Sequence, residues 1–158
     1  MSYEFYVTVE SSKGSKFKGE SDRNAYKDRI PGIFYGSAVL SPRDAANGQP
    51  TGKRRHEPVL LRKKVGAATP QFSAALTTNE VLKSVLFEFV RTTANGAEEV
   101  FFTVKLVNAT VSGQKLFLPE TTGEQHHLEL TEEISFTFQS IEWKHVTAKT
   151  MHTDDWTA

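Results

Sequence analysis

The chain reads as a mainly β protein, a curled antiparallel two-sheet barrel or sandwich with one short flanking α-helix and a long protruding loop. Three observations predict this class. Apolar residues alternate with polar ones in several segments, as in Tyr3, Phe5, Val7 and Val9 against Glu4, Thr8 and Glu10, which is the period of a half-buried strand. The turn Ala94-Asn95-Gly96-Ala97 lies between two such segments, and Asn-Gly is the strongest short hairpin signal. Near Gln139-Ser140 the alternation changes phase: Ile134, Phe136 and Phe138 share one parity, Ile141 and Trp143 the other. A slip of one residue is the trace of a bulge that carries a strand from one sheet to another.

The elements follow in order. Strand 3–10 stops at Ser12-Lys13-Gly14, and a short strand around Lys16 to Glu20 is expected before a polar stretch to Arg29. Ile33-Phe34-Tyr35-Gly36-Ser37-Ala38-Val39-Leu40 is apolar or small at every position, the pattern of a strand covered on both faces. Its second cover is either a neighbouring subunit or the far side of a closed barrel. After the loop, Val59 to Val65 forms a strand. Thr69 is placed to cap a helix with Pro70 at its first position, and Phe72, Ala75 and Leu76 make its apolar stripe. Val85, Phe87 and Phe89 lead into the hairpin, and Phe102, Val104 and Leu106 lead out. A second loop is expected from Ser112 to Gln125, and a last long strand from Leu130 to Trp143. With about seven strands, one helix and 158 residues, a single domain spanning 1–158 is expected.

The long loop runs from Ser41 to Pro58, eighteen residues, where connections in compact domains have a median of roughly four to six. Its prolines and glycines argue against regular structure inside it. Net charge is zero over nineteen basic and nineteen acidic residues, which disfavours general nucleic-acid or anionic-membrane binding. The distribution is uneven. Residues 42–64 hold seven Lys/Arg against two acids, a local +5, and residues 120–158 hold two Lys against eight acids, a local −6. Such poles either sit on separate solvated faces or join copies head to tail.

Chemistry is largely excluded. The chain has no cysteine, which removes disulfides, thiolate metal sites and thiol nucleophiles. The carboxylate pairs Glu98-Glu99 and Glu132-Glu133 point to opposite faces of a strand and read as solvated strand ends. The five histidines give no metal spacing, and His126-His127 diverge if extended. No Gly-Xaa-Ser-Xaa-Gly elbow occurs. Gly48-Gln49-Pro50-Thr51-Gly52-Lys53-Arg54 lacks the full phosphate-loop pattern and precedes a strand. Lys53-Arg54-Arg55 has no interleaved aromatics for stacking on single strands. Trp143 reads as core, Trp156 as tail docking, and Asp154-Asp155-Trp156 as a C-terminal anchor on a neighbour or a loose acidic tail. The N-terminus carries no secretory signal pattern, and no run of eighteen apolar residues exists.

The segment from Ser41-Pro42-Arg43-Asp44-Ala45-Ala46 through Gly48-Gln49-Pro50-Thr51-Gly52-Lys53-Arg54-Arg55-His56 closely resembles the extended loop of the haemolysin-coregulated protein (Hcp) family, the tube protein of bacterial type VI secretion. Ala67-Ala68-Thr69-Pro70-Gln71 with Leu76-Thr77-Thr78-Asn79-Glu80, then Val85 to Arg91, then Leu130 to Trp143 resemble further family segments in the same order. Asp28 to Gly36 departs more from the family pattern, and Ser112 to Gln125 lies in a variable region.

The resemblance implies a hexameric ring whose copies stack into a hollow tube inside a contractile sheath, with a spike protein at the tip and effector proteins in the lumen. It places Arg43, Asp44, Gln49, Lys53, Arg54, Arg55 and His56 in the element reaching the adjacent ring or subunit. It implies a non-enzymatic protein with no cofactor, no nucleic acid and no membrane insertion, cytoplasmic before assembly and then secreted. The alternative from the residues alone is a β-barrel binding module for a small ligand, which needs an unfilled interior; the eleven phenylalanines argue for a filled one.

Overall fold

In the computed structural model, which describes residues 3–21, 23–120, 122–123 and 129–156, the strands follow the alternation. They are β1 (Tyr3–Glu10), β2 (Ile30–Gly32), β3 (Phe34–Gly36), β4 (Val39–Leu40), β5 (Arg55–His56), β6 (Val59–Lys64), β7 (Leu82–Thr92), β8 (Glu98–Phe117), β9 (Thr131–Thr137), β10 (Ser140–His145) and β11 (Thr150–Asp155), with helix α1 at Thr69–Thr77 and a 3-10 turn at Asn24–Tyr26. Pairing is antiparallel along the path β2-β1-β7-β8-β9-β6-β3, with β10 joined to the first half of β8 and β11 to the far side of β10. The sheet curls on itself without closing, since β2 and β3 are the two ends of the path.

β8 makes the curl. Up to Ala109 it pairs with β7, and from Thr110 onward it pairs with β9. Asn108 sits at the change with a left-handed φ of 51°, a conformation Asn tolerates better than most residues, and its Nδ2 donates to Gln139 Oε1 at 2.6 Å. β9 and β10 then separate on either side of Gln139, whose backbone N donates to Val107 O. The slip read from sequence is therefore a change of sheet.

The core lies between the two halves of this path. Val7, Val9, Leu61, Phe72, Val85, Phe87, Leu106, Ile134 and Phe136 are completely buried. Phe136 meets Phe72 and Phe87 edge-on, with ring centroids 5.9 and 6.2 Å apart, so aromatic packing fills the interior. α1 delivers Phe72 and Ala75 to this core, as its stripe predicts. Gly96 closes the β7–β8 hairpin with φ +85°, while Thr93 N donates to Ala97 O at 2.7 Å.

Several expectations are corrected. α1 begins at Thr69 itself, with Ala68 at the cap position and no side-chain cap. The Thr69 hydroxyl is used elsewhere: it accepts from Gly66 N at 3.1 Å and donates to Glu132 Oε1 at 2.7 Å. Residues 16–20 contribute a single bridge, Glu10 to Lys16, and no strand. The second loop does not start at Ser112, because β8 continues through Phe117; Gly113 marks a bulge where a Cβ would lie 2.9 Å from Ser135 Oγ.

The long apolar strand 33–40 is broken into β3 and β4, and the single chain does not itself cover both faces. Ile33, Phe34, Val39 and Leu40 are exposed in the single chain. The C-terminal residues form β11 on β10 of the same chain, a strand absent from the expected set. Glu132 is not a solvated strand end but fully buried. His126 and His127 lie outside the described residues. Among the described residues no helix is long and apolar enough to cross a membrane.

Candidate interaction site: the arm and its root

Two short strands raise the 41–58 segment. Val39 pairs with His56 and Leu40 with Arg55, and Glu57 N donates to Ala38 O at 3.0 Å. Above them Thr51 N donates to Pro42 O at 3.0 Å, and Asp44 N to Gln49 O at 2.8 Å, with a bridge from Arg43 to Pro50. The expected structureless loop is thus a hydrogen-bonded arm. Its prolines tolerate this because Pro42 acts as an acceptor and needs no N–H there.

The tip is fixed by side chains. Asp44 Oδ1 accepts from Ala46 N at 2.7 Å and Asn47 N at 3.2 Å, and Asn47 Oδ1 accepts from Gln49 N at 2.9 Å. These are Asx turns. Gly48 supplies φ +74° and donates to Asp44 O at 2.9 Å. Apart from half-buried Asp44, residues 41–53 are exposed.

At the root the basic run meets the C-terminus. Arg54 Nε donates to Asp154 Oδ2 at 2.5 Å, and Arg54 Nη2 to Asp155 O at 2.7 Å. His56 Nε2 reaches the same Asp154 oxygen at 2.7 Å. The Arg54 guanidinium holds the Asp154 carboxyl below the usual carboxylate range against the opposing effect of burial, and the His56 hydrogen bond adds a smaller lowering. The His56 ring is enclosed by Phe138, Trp143 and Trp156, at centroid distances of 5.3, 6.5 and 5.5 Å. Its Nδ1 is buried and has no hydrogen-bond partner.

The residues expected to touch a neighbour therefore divide into two groups. Arg43, Asp44 and Gln49 are brought together by the arm's upper ladder, while Lys53 and Arg55 remain exposed, Arg55 with a rim contact to Glu57 at 3.3 Å. Arg54 and His56 turn inward onto Asp154 and hold the arm's base. Trp156 docks the tail as expected from sequence, but on its own chain; sequence reasoning did not connect Asp154, Trp156 and Phe138 with the arm. The one signal was the acidic pair Asp154-Asp155, a counter-charge to Lys53-Arg54-Arg55.

The two charge runs also meet across β6 and β9. Arg62 pairs with Glu133 at 3.0 Å, Lys63 with Glu132 at 2.7 Å and Lys64 with Glu129 at 3.1 Å. The poles inferred from sequence are not wholly separate faces: Arg54, Arg62, Lys63 and Lys64 are paired with the acidic run within one chain, while Arg43, Lys53 and Arg55 stay exposed. Uncovered apolar surface is what remains near the arm, at Ile33, Phe34, Val39 and Leu40. Phe34 lies under the Arg62 guanidinium, 5.2 Å from its ring centroid.

Among the described residues no group of three or more His, Cys, Asp or Glu is placed to hold a metal ion. An antiparallel β body with a stiff arm and an apolar edge is the architecture of a subunit that works through its surfaces. The comparisons agree. The family model described as type VI secretion system effector, Hcp, matches residues 6–145. The "Major exported protein" of Pseudomonas aeruginosa is 34% identical over 140 residues, covering 87% of this chain and 81% of that protein. A solved Hcp protein superposes with TM-score 0.89 at 25% identity, covering 98% of each chain. The Hcp1 protein from E. coli EAEC 042 gives 0.86 at 25% identity, over 97% of this chain and 98% of that one. The chain belongs to the Hcp family and is a tube protein of type VI secretion.

Proposed function

We propose that six copies of this chain close into a ring and that the rings stack into a hollow tube through the arm. The observation that carries this reading is the arm itself: hydrogen-bonded along its length, clamped at its root, and exposed over residues 41–53 except at Asp44. An element already ordered loses little conformational freedom when it docks. Arg43, Asp44, Gln49, Lys53 and Arg55 present its polar contacts to the adjacent ring, where charged pairs fix register more than they add affinity. Arg54 and His56 contribute indirectly by holding its direction.

Contact within the ring falls to the apolar edge of β3 and β4. Ring closure needs a heterologous contact, one patch of a copy meeting a different patch of the next. With much of the two charge runs paired internally, Ile33, Phe34, Val39 and Leu40 supply the free apolar surface such a contact would bury.

The whole chain acts as one tube-subunit domain, without catalysis and without a cofactor. It is made in the cytoplasm and exported by the type VI machinery, with a contractile sheath around the tube, a spike protein at its tip and effector proteins in its lumen. The test is native mass by size exclusion with light scattering, at two concentrations. A mass near six times 17.7 kDa supports the ring; a monomer at both concentrations contradicts it.

A further inference from the structure

The arm and the C-terminal strand meet chiefly at one carboxylate, Asp154, with Arg54 Nη2 also donating to Asp155 O at 2.7 Å, and the rest of the strand lies on β10, where His152 stacks on Trp143 at 5.8 Å. β11 has β10 as its one ladder partner among the described residues, over six residue pairs, and Thr150 to Thr153 are exposed. Its end nevertheless enters the root of the arm. Asp154 Oδ2 receives Arg54 and His56 together, Trp156 packs 5.5 Å from the His56 ring and 5.8 Å from Phe138, and Trp156 N donates to Gln139 O at 2.9 Å.

The arm's own base is thin. Its β4–β5 ladder has two residue pairs, Val39 with His56 and Leu40 with Arg55, too few to fix a direction alone, because an isolated two-stranded hairpin is marginal in water. The second support is the C-terminal strand, gripping His56 and Arg54 from the other side. The docked state carries one unmet polar atom, His56 Nδ1, which water would satisfy if the strand lifted. A strand paired on one edge and mostly exposed is also the kind of element that opens locally before the core does.

We propose that β11 is a releasable strap that sets the arm, with Asp154 as its positioning residue: docked, the strap fixes the arm's angle; lifted, it frees the arm while the core stays folded. The strap stands on contacts within one chain. Its consequence, that contact between rings depends on the C-terminal strand, rests on the tube reading above.

Hydrogen exchange on the full chain tests this, comparing the unaltered protein with Asp154→Asn and with Asp154→Glu. In Asp154→Asn the peptides spanning 38–57 should exchange roughly tenfold faster, a local opening, with the β7–β8 hairpin unchanged. Asp154→Glu keeps the charge and should recover part of the protection. Unchanged exchange over 38–57 in Asp154→Asn would overturn the strap, as would equal acceleration everywhere. Should Asp154→Asn not fold, Trp156→Ala tests the same docking from its other side: it strips the ring packing on His56 and Phe138 while leaving the Asp154 bonds in place, and unchanged exchange over 38–57 in this variant would also overturn the strap. Loss of tubes with 38–57 unaltered would count against the strap's control of the arm, whereas a freed arm with tubes intact would count against the arm as the contact between rings.

Discussion

Lys63 and Glu132 face each other across β6 and β9 with both side chains fully buried, Nζ to Oε1 at 2.7 Å. Lys63 Nζ also donates to Lys64 O at 2.7 Å and lies 3.0 Å from Glu20 Oε1. Glu132 in turn accepts from Thr69 Oγ1 at 2.7 Å and from Gln114 Nε2 at 3.0 Å. This network ties α1 to β6, β8 and β9. Removing one partner from a buried pair leaves an uncompensated charge, at a cost of about 3–5 kcal/mol. Lys63→Met should lower stability by about that amount in urea unfolding, and Lys63→Met with Glu132→Leu should recover much of it. A double variant no more stable than the single one would show that the network's other donors, Thr69 and Gln114, dominate.

Gly66 is required by the same network. A Cβ there would fall 2.2 Å from Glu20 Oε1 and 2.4 Å from its Cγ, so Gly66→Ala must push Glu20 away from Lys63. Loss of one charge-assisted contact is worth about 1.5–3 kcal/mol. Thermal unfolding of Gly66→Ala should show a destabilisation of that order, and little in a Glu20→Ala background, where the obstructing side chain is gone.

Phe72 is the helix's main anchor, completely buried against Phe17 and Phe136 at 5.2 and 5.9 Å. Phe72→Ala should cost about 3–5 kcal/mol through lost burial and the cavity left behind. Urea unfolding checks this, and a loss below about 1 kcal/mol would mean that the helix collapses onto the sheet to refill the space.

The clamp at the arm's root has a defined response to pH. Asp154 is held below the ordinary carboxylate range, first by Arg54. A group whose folded pKa is depressed contributes stability above its unfolded value, near 3.9 for Asp, and loses it as pH falls through the folded one. Arm protection in hydrogen exchange should therefore persist from neutral pH down to about 4 and decline only below it. Asp154→Asn should flatten that dependence.

The exposed edge makes a further prediction. Phe34→Glu or Leu40→Glu puts a charge on surface that stands uncovered in the single chain, so the monomer fold should survive with near-unchanged thermal stability. Association should weaken markedly in sedimentation velocity, because an unpaired charge is costly to bury in an interface. An unaltered assembly would remove this edge from the contact.

Much of the body was legible because burial imposes a period. Phe5, Val7 and Val9 alternate into the core, Asn95-Gly96 makes the hairpin, and the phase change at Gln139-Ser140 marks the passage between sheets. Glu132 shares parity with Ile134 and Phe136, and Lys63 with Val59 and Leu61, so their alternation points both charges inward. β11 left no such trace: Thr150 to Asp155 shows no apolar alternation, its one hydrophobic residue, Met151, being exposed, since an exposed edge strand buries little. The arm was legible in length but not in order, which rests on backbone bonds such as Thr51 to Pro42 and on the Asx turns of Asp44 and Asn47. Which of its cations face outward was beyond any local pattern, because Arg54 is turned inward by a residue one hundred positions later.

Electron microscopy of the concentrated protein beside an Arg43→Glu, Lys53→Glu variant tests the central claim most directly. The account predicts six-fold rings with a central hole for both proteins, stacked into tubes for the unaltered chain and left as single rings for the variant. Discrete particles without a hole would contradict the ring, and tubes of equal length from the variant would contradict stacking through the arm.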